Sequence, residues 1–186
     1  LKKNLFKLKY LLCSLFSGLL LGYSWPTFGV TIFIFISLIP LFFLEKFIRE
    51  DNSNYKMFRF FIYTFFSILT WNIITTWWLI NASTFGMIFA NIFNSFFYSL
   101  LFQIFFLLKK ILKENARFIF FICLWICYEK LNLNWEFSWP WLNLGNVFSE
   151  SIYWIQWYEY TGVFGGTLWV LILNVLLFNV IDEYLN

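Results

Sequence analysis

Glu129 and Lys130 stand side by side near the end of an apolar stretch, with Cys123 and Cys127 just before them at helical spacing. Thiol, ammonium and carboxylate are the parts of an activated nucleophile. The spacing argues against that use. Adjacent residues on a helix do not face each other, a thiolate is disfavoured in hydrocarbon, and Cys is a common small apolar residue in helices. Glu129 is a different case. An ionisable group at membrane depth is costly and marks function by default; the competing reading is an interfacial carboxylate that is solvated or paired with Lys130. The chain has no His. That excludes Ser-His-Asp hydrolysis, His-ligated metal and histidine-dependent acyl transfer. Cys13, Cys123 and Cys127 form no CxxC and no disulfide framework. Neither a metal nor a cofactor is expected.

The second candidate region runs from about residue 131 to 160. Trp139-Pro140-Trp141 makes a stiff aromatic wedge, because the ring of Pro140 fixes φ. Asn143, Gly145 and Asn146 follow with amide groups and a permissive backbone. The segment is too polar for a membrane span and too aromatic for a free loop. It reads equally as an interfacial anchor and as one wall of a lipid-binding cleft. Trp77 and Trp78, after Thr76, would close the end of an earlier helix at the same depth. Taken alone they read as an aromatic belt and a helix cap.

These residues need a scaffold, and composition names it. Of 186 residues 61% are hydrophobic and only 12% charged, about half the roughly 25% of a soluble domain. Such a chain is an integral membrane protein. A spanning helix needs ~20 apolar residues, and six runs come near that: 8–23, 28–44, 58–80, 85–108, 117–135 and 162–181. The fifth is interrupted by Glu129 and Lys130. The expected fold is an all-α polytopic bundle of about six spans in a single transmembrane domain, 1–186. Asn72, Asn91, Asn94 and Gln103 lie inside apolar runs and are expected to join helices by hydrogen bonds.

The charges are sided. Of the 13 Lys and Arg, all but Lys130 flank the N-terminus, the loop between spans two and three, or the loop between spans four and five. The positive-inside rule then puts the N-terminus and residue 186 in the cytoplasm and the aromatic segment outside. This placement also argues against nucleic acid as a partner of the +3 chain. Eight of the 11 Trp, at 25, 77, 78, 135, 139, 141, 154 and 157, fall at outer ends. A symmetric interfacial belt would use both faces, so the outer face is the working face.

Four stretches together resemble the apolipoprotein N-acyltransferases of bacteria: Ser24-Trp25-Pro26-Thr27-Phe28-Gly29; Thr76-Trp77-Trp78-Leu79 with Ser83-Thr84-Phe85-Gly86; Glu129 and Leu131 with Trp139-Pro140-Trp141-Leu142-Asn143-Leu144-Gly145-Asn146; and Ile155-Gln156-Trp157 with Tyr160 to Gly165. The resemblance runs from about residue 14 to the end. It implies a bacterial inner-membrane protein acting in lipoprotein biosynthesis. Phospholipid would be the acyl donor and a diacylglyceryl-lipoprotein, through its N-terminal cysteine, the acceptor. It also implies a ping-pong thioester reaction by a Cys, a Lys and a Glu of a nitrilase-like domain facing the periplasm.

Those catalytic residues have no counterpart here, so none is assigned in this chain, which is expected to be a fragment supplying the lipid-access bundle. The nitrilase-like domain would act in cis or in trans. Trp77, Glu129, Trp139, Pro140, Trp141, Asn143, Gly145 and Asn146 are the lipid- and substrate-access candidates. Trp139 replaces the family's Phe, and the Arg usual after the helix-five glutamate is unmatched. Two rival classes stay open: a small polytopic transporter or channel, and a non-catalytic membrane scaffold.

Overall fold

The computed structural model describes residues 2–26, 29–51 and 54–186, with side chains from residue 7 onward. Thr27 and Phe28 of the first motif, Asn52 and Ser53 of the polar loop, and the side chains of Lys2 and Lys3 lie outside the described residues. The described chain is all α. Six helices follow in order: α1 (Lys2–Tyr23), α2 (Ile39–Glu50), α3 (Lys56–Thr76), α4 (Thr84–Leu108), α5 (Glu114–Asn132) and α6 (Tyr158–Leu185). Tighter 3-10 turns cover Thr31–Ile36, Trp77–Asn81, Pro140–Leu142, Leu144–Phe148 and Ile152–Trp154. Among the described residues, four segments are long and apolar enough to cross a membrane: Thr31–Glu50, Lys56–Asn81, Thr84–Leu108 and Tyr158–Leu185.

Helix α5 falls outside that set because it carries Glu114, Arg117, Glu129 and Lys130. It is nonetheless one unbroken helix. Its buried charges meet protein and not lipid: Arg117 Nη1 donates to Glu45 Oε1 at 2.9 Å, and Arg117 Nη2 to Glu114 Oε1 at 2.5 Å. Charges satisfied this way can lie within a bundle.

The helices pack as a closed ring. α1 touches α3, α3 touches α4, α4 touches α5, α5 touches α6, and α6 returns through α2 to α1. The α1–α3 seam is close because Gly18 and Gly22 form a small-xxx-small stripe, the usual way membrane helices approach. A Cβ on Gly18 would strike the Ser67 carbonyl, and one on Gly22 would meet Ile74 at 2.8 Å. Phe42 fills the ring's centre, with its ring 5.2–5.9 Å from those of Phe105, Phe118, Phe121 and Phe178.

The run at 28–44 is not one helix. A 3-10 turn ends at Ile36 and α2 starts at Ile39, then continues to Glu50 past the expected boundary. Pro40, in the first turn of α2, has no N–H to donate back, so the backbone breaks there. Broken backbone at membrane depth must be satisfied by protein. Asn174 of α6 does this with one amide: its Nδ2 donates to the Ile34 carbonyl at 2.8 Å and its Oδ1 accepts the Leu38 N–H at 2.8 Å. Ser17 of α1 donates to the Ser37 carbonyl at 2.6 Å. Asn174→Leu should therefore lower stability by about 1–3 kcal/mol, because the buried Leu38 N–H loses its partner while the Ile34 carbonyl keeps the Ser37 hydroxyl at 2.8 Å. Thermal unfolding in detergent measures this, and an unchanged midpoint would refute the clamp.

The Lys- and Arg-bearing helix ends converge. Arg49 bonds Glu45 and the Phe106 carbonyl, Lys46 pairs with Asp182 at 2.6 Å, and Arg59 pairs with Asp51 at 3.0 Å. Partial burial pushes the Glu114 carboxyl up, but hydrogen bonds from Lys109 and Arg117 outweigh this and hold it below the ordinary carboxylate range. Opposite lies the tryptophan-rich end.

Candidate functional site

The segment after α5 folds back onto the bundle as a built part of it. Leu142, Leu144, Val147 and Phe148 are all essentially buried. They are the apolar faces of two 3-10 turns that Asn143 separates in extended conformation. The Phe148 ring lies 5.2 Å from Trp169 of α6 and 5.7 Å from Phe35. The Trp139 N–H donates to the Asn132 carbonyl at 3.1 Å, which turns the chain back at the end of α5.

Glu129 holds this segment in place. It is completely buried. Its Oε1 accepts from Trp125 Nε1 at 3.0 Å and from the Leu144 N–H at 2.8 Å. Its Oε2 accepts from the Thr167 hydroxyl at 2.6 Å, and Thr167 Oγ1 accepts the Gly145 N–H at 3.0 Å. One carboxylate thus ties α5, α6 and two successive residues of the outer segment. Lys130 takes no part: its ammonium lies 5.8 Å from the Phe164 ring. Cys123 and Cys127 are exposed on the other side of α5, so thiol, ammonium and carboxylate do not meet.

Gly145 is held on both sides, since the Tyr158 hydroxyl donates to its carbonyl at 2.9 Å. A Cβ there would land on the Val163 carbonyl. Just beyond, Gly162 adopts φ +65°, where side chains are disfavoured, and this breaks the first turns of α6. Gly145→Ala should displace the outer segment from α6 and reduce stability by about 1–3 kcal/mol, the usual cost of overpacking. Denaturation of the purified protein would show it, and wild-type stability would contradict it.

Against this anchored segment opens a cleft of about 850 Å³. Its walls come from three separate stretches: Gly22, Tyr23, Trp25 and Pro26 at and just beyond the end of α1; Ile74 to Trp78 across the end of α3; and Pro140, Trp141, Leu142, Asn146 and Ser149. Among the described residues no charged side chain lines it. Trp141 and Trp78 meet edge to face at 5.7 Å across the mouth. Trp77 and Trp141 are about half exposed and free to contact a ligand. The Asn146 Nδ2 donates to the Pro140 carbonyl at 2.8 Å and fixes the wedge.

The sequence candidates therefore separate. Trp77, Pro140, Trp141 and Asn146 line the cleft. Glu129 and Gly145 are buried behind it as supports, and Asn143 is buried with its Oδ1 unpaired among the described residues. Trp139 turns the other way, into a cavity of about 180 Å³ shared with Phe89, Phe93, Asn94 and Asn132. Sequence reasoning did not single out Thr167 or Trp125, the partners of Glu129. The one available signal was Thr167 as a hydroxyl inside an apolar run. Asn72, Asn91 and Asn94 do join helices: Asn94 Nδ2 donates to Asn72 Oδ1 at 2.8 Å, and Thr76 Oγ1 to Asn91 Oδ1 at 2.8 Å.

Fold and site define a class, an all-helical membrane bundle with an uncharged aromatic cleft at one end. Residues 17–176 match the apolipoprotein N-acyltransferase N-terminal domain family, and the chain belongs to that family. It is 30% identical over 165 residues to an apolipoprotein N-acyltransferase from Chlorobaculum tepidum. That alignment covers 87% of this chain and 30% of the relative's length. No solved structure matches significantly.

Proposed function

We propose that this chain is the lipid-access bundle of an apolipoprotein N-acyltransferase of the bacterial inner membrane. In this reading all six helices cross the bilayer. The Lys- and Arg-rich end, with the N-terminus and residue 186, is cytoplasmic, and the aromatic segment is periplasmic. A phospholipid acyl chain enters the cleft and is passed towards a nitrilase-like domain, present in cis or in trans. That domain transfers the acyl group to the N-terminal diacylglyceryl-cysteine of a lipoprotein. The chain's own residues bind and orient lipid; none of them attacks the ester.

The observation that carries this reading is the convergence of three distant stretches on one uncharged cleft at the tryptophan-rich end. Its chemistry suits an aliphatic chain with a neutral polar junction. Aromatic walls contact methylenes, while Thr75, Asn146 and Ser149 supply hydrogen-bonding groups without charge. A transporter would want a broken helix whose freed backbone faces a cavity or an ion. The break before α2 is instead closed by Asn174 and Ser17, and the one in α6, at Gly162, lies in its first turns.

Phosphatidylethanolamine carrying a diazirine on its acyl chain tests the proposal in the full-length protein. Cross-links concentrated at Trp77, Trp78 and Trp141, competed by unlabelled phospholipid and accompanied by N-acylation of a model lipoprotein, are expected. Cross-links spread evenly over the bundle would overturn the cleft's role, and absence of N-acylation would overturn the enzymatic one.

A further inference from the structure

The opposite end of the bundle carries a second open cavity, of about 460 Å³, on the outside of the ionic cluster. Arg49, Lys56 and Lys110 line it, with Met57, Phe106 and Leu107 as apolar walls. Among the described residues no acidic side chain lines it. This differs from the neighbouring cavity beside α6, where Glu45, Glu50, Glu114 and Asp182 balance the cations.

Arg49 is rigidly placed. It bonds Glu45 and the Phe106 carbonyl, and its guanidinium lies 3.9 Å from the Phe106 ring. Lys56 Nζ is held by the Arg49 carbonyl at 2.6 Å. Lys110 is exposed, and among the described residues it forms no ion pair. The result is a fixed guanidinium, a tethered ammonium and an unpaired ammonium around one opening. Met57 and Leu107 remain exposed beside it. Cations above an apolar wall at the end of a membrane bundle complement an amphiphile with a phosphate at its polar end and acyl chains below. A soluble phosphate would leave those apolar walls uncovered.

We propose that this cavity binds the headgroup of an anionic phospholipid in the leaflet at the Lys- and Arg-rich end. The site is separate from the aromatic cleft and requires only that the chain span a bilayer, so it stands or falls independently of the acyl-transfer reading. It holds a lipid that anchors the ends of α2, α3 and α4 together, and it does not supply the reacting chain.

The full-length protein in nanodiscs of phosphatidylcholine with a minority of phosphatidylglycerol provides the test, read by native mass spectrometry after mild delipidation. Wild type should retain phosphatidylglycerol in preference to phosphatidylcholine. Lys110→Gln, an exposed change that leaves the fold alone, should weaken retention about fivefold, and Lys56→Gln with Lys110→Gln about thirtyfold, as expected for one and two lysines at an anionic surface. Lys130→Gln, at the other end, should change nothing. Equal retention in all variants, or an equal loss in Lys130→Gln, would overturn the proposal. So would displacement by millimolar glycerol 3-phosphate, which would assign the site to a free anion. N-acylation measured on the same samples reports separately on the aromatic cleft.

Discussion

On the proposed function, Glu129→Ala should cut N-acylation by about a hundredfold, the equivalent of ~2.7 kcal/mol, while Glu129→Gln should lose far less. The difference follows from what the carboxylate does. Alanine strips acceptors from the Trp125 indole, the Leu144 N–H and the Thr167 hydroxyl, all buried together. An unsatisfied buried group costs about 1–3 kcal/mol, so the outer segment should detach from α5 and α6 before the bundle unfolds. Glutamine can keep the geometry. Its carbonyl oxygen replaces Oε1 towards Trp125 and Leu144, and its amide donates to Thr167, whose hydroxyl then acts as acceptor. If Glu129 instead served by its charge, by moving a proton or holding a cation, glutamine would be as damaging as alanine. Limited proteolysis between residues 131 and 160 supplies the structural readout. Glu129→Ala should be cleaved there and Glu129→Gln protected; equal behaviour of the two variants would reject the latch.

That latch also shows how far the sequence could be read. The all-helical class, the candidate membrane character and the gathering of cations at one end follow from composition and the placement of Lys and Arg, because burial in lipid and the sidedness of charge are one-dimensional properties. Glu129 could be singled out because a carboxylate at that depth needs a reason. Its partners could not. Thr167 lies 38 residues away and the Leu144 N–H belongs to every residue alike, so only the fold brings them together. The break in α2 was hidden for the same reason. Residues 28–44 carry no charge and are mostly apolar, and the compensation for the break at Pro40 lies on α6, at Asn174. Helices α3 and α5 begin before the apolar runs that announce them, because Lys56 and Glu114 can open a helix without being apolar. Trp139 and Trp141, two apart around Pro140, read as one wedge, yet they serve different cavities because the chain turns between them.

If the cleft admits the acyl chain as proposed, Trp141→Ala should lower kcat/KM for the phospholipid donor without comparable loss of stability. An acyl chain reaching the cleft leaves one apolar medium for another, so no hydrophobic term drives its entry; packing does. The exposed half of the indole offers on the order of 10–15 atomic contacts at about 0.1–0.2 kcal/mol each, or ~1–3 kcal/mol in all. The corresponding fall in kcat/KM is roughly fivefold to a hundred-and-fiftyfold. The cost to the fold is smaller, because Trp141 is half exposed and its ring contact is with Trp78, a pair worth about 0.5–1.5 kcal/mol. Trp141→Phe keeps a ring in the wall and should recover much of the rate. Glu129→Ala removes the support behind the wall, whereas Trp141→Ala removes the wall and leaves the support. The first should therefore change proteolysis and turnover together, and the second turnover alone. Wild-type kcat/KM in Trp141→Ala would remove the cleft from the path of the lipid. A fall in thermal midpoint as large as that of Glu129→Ala would make Trp141 a structural residue.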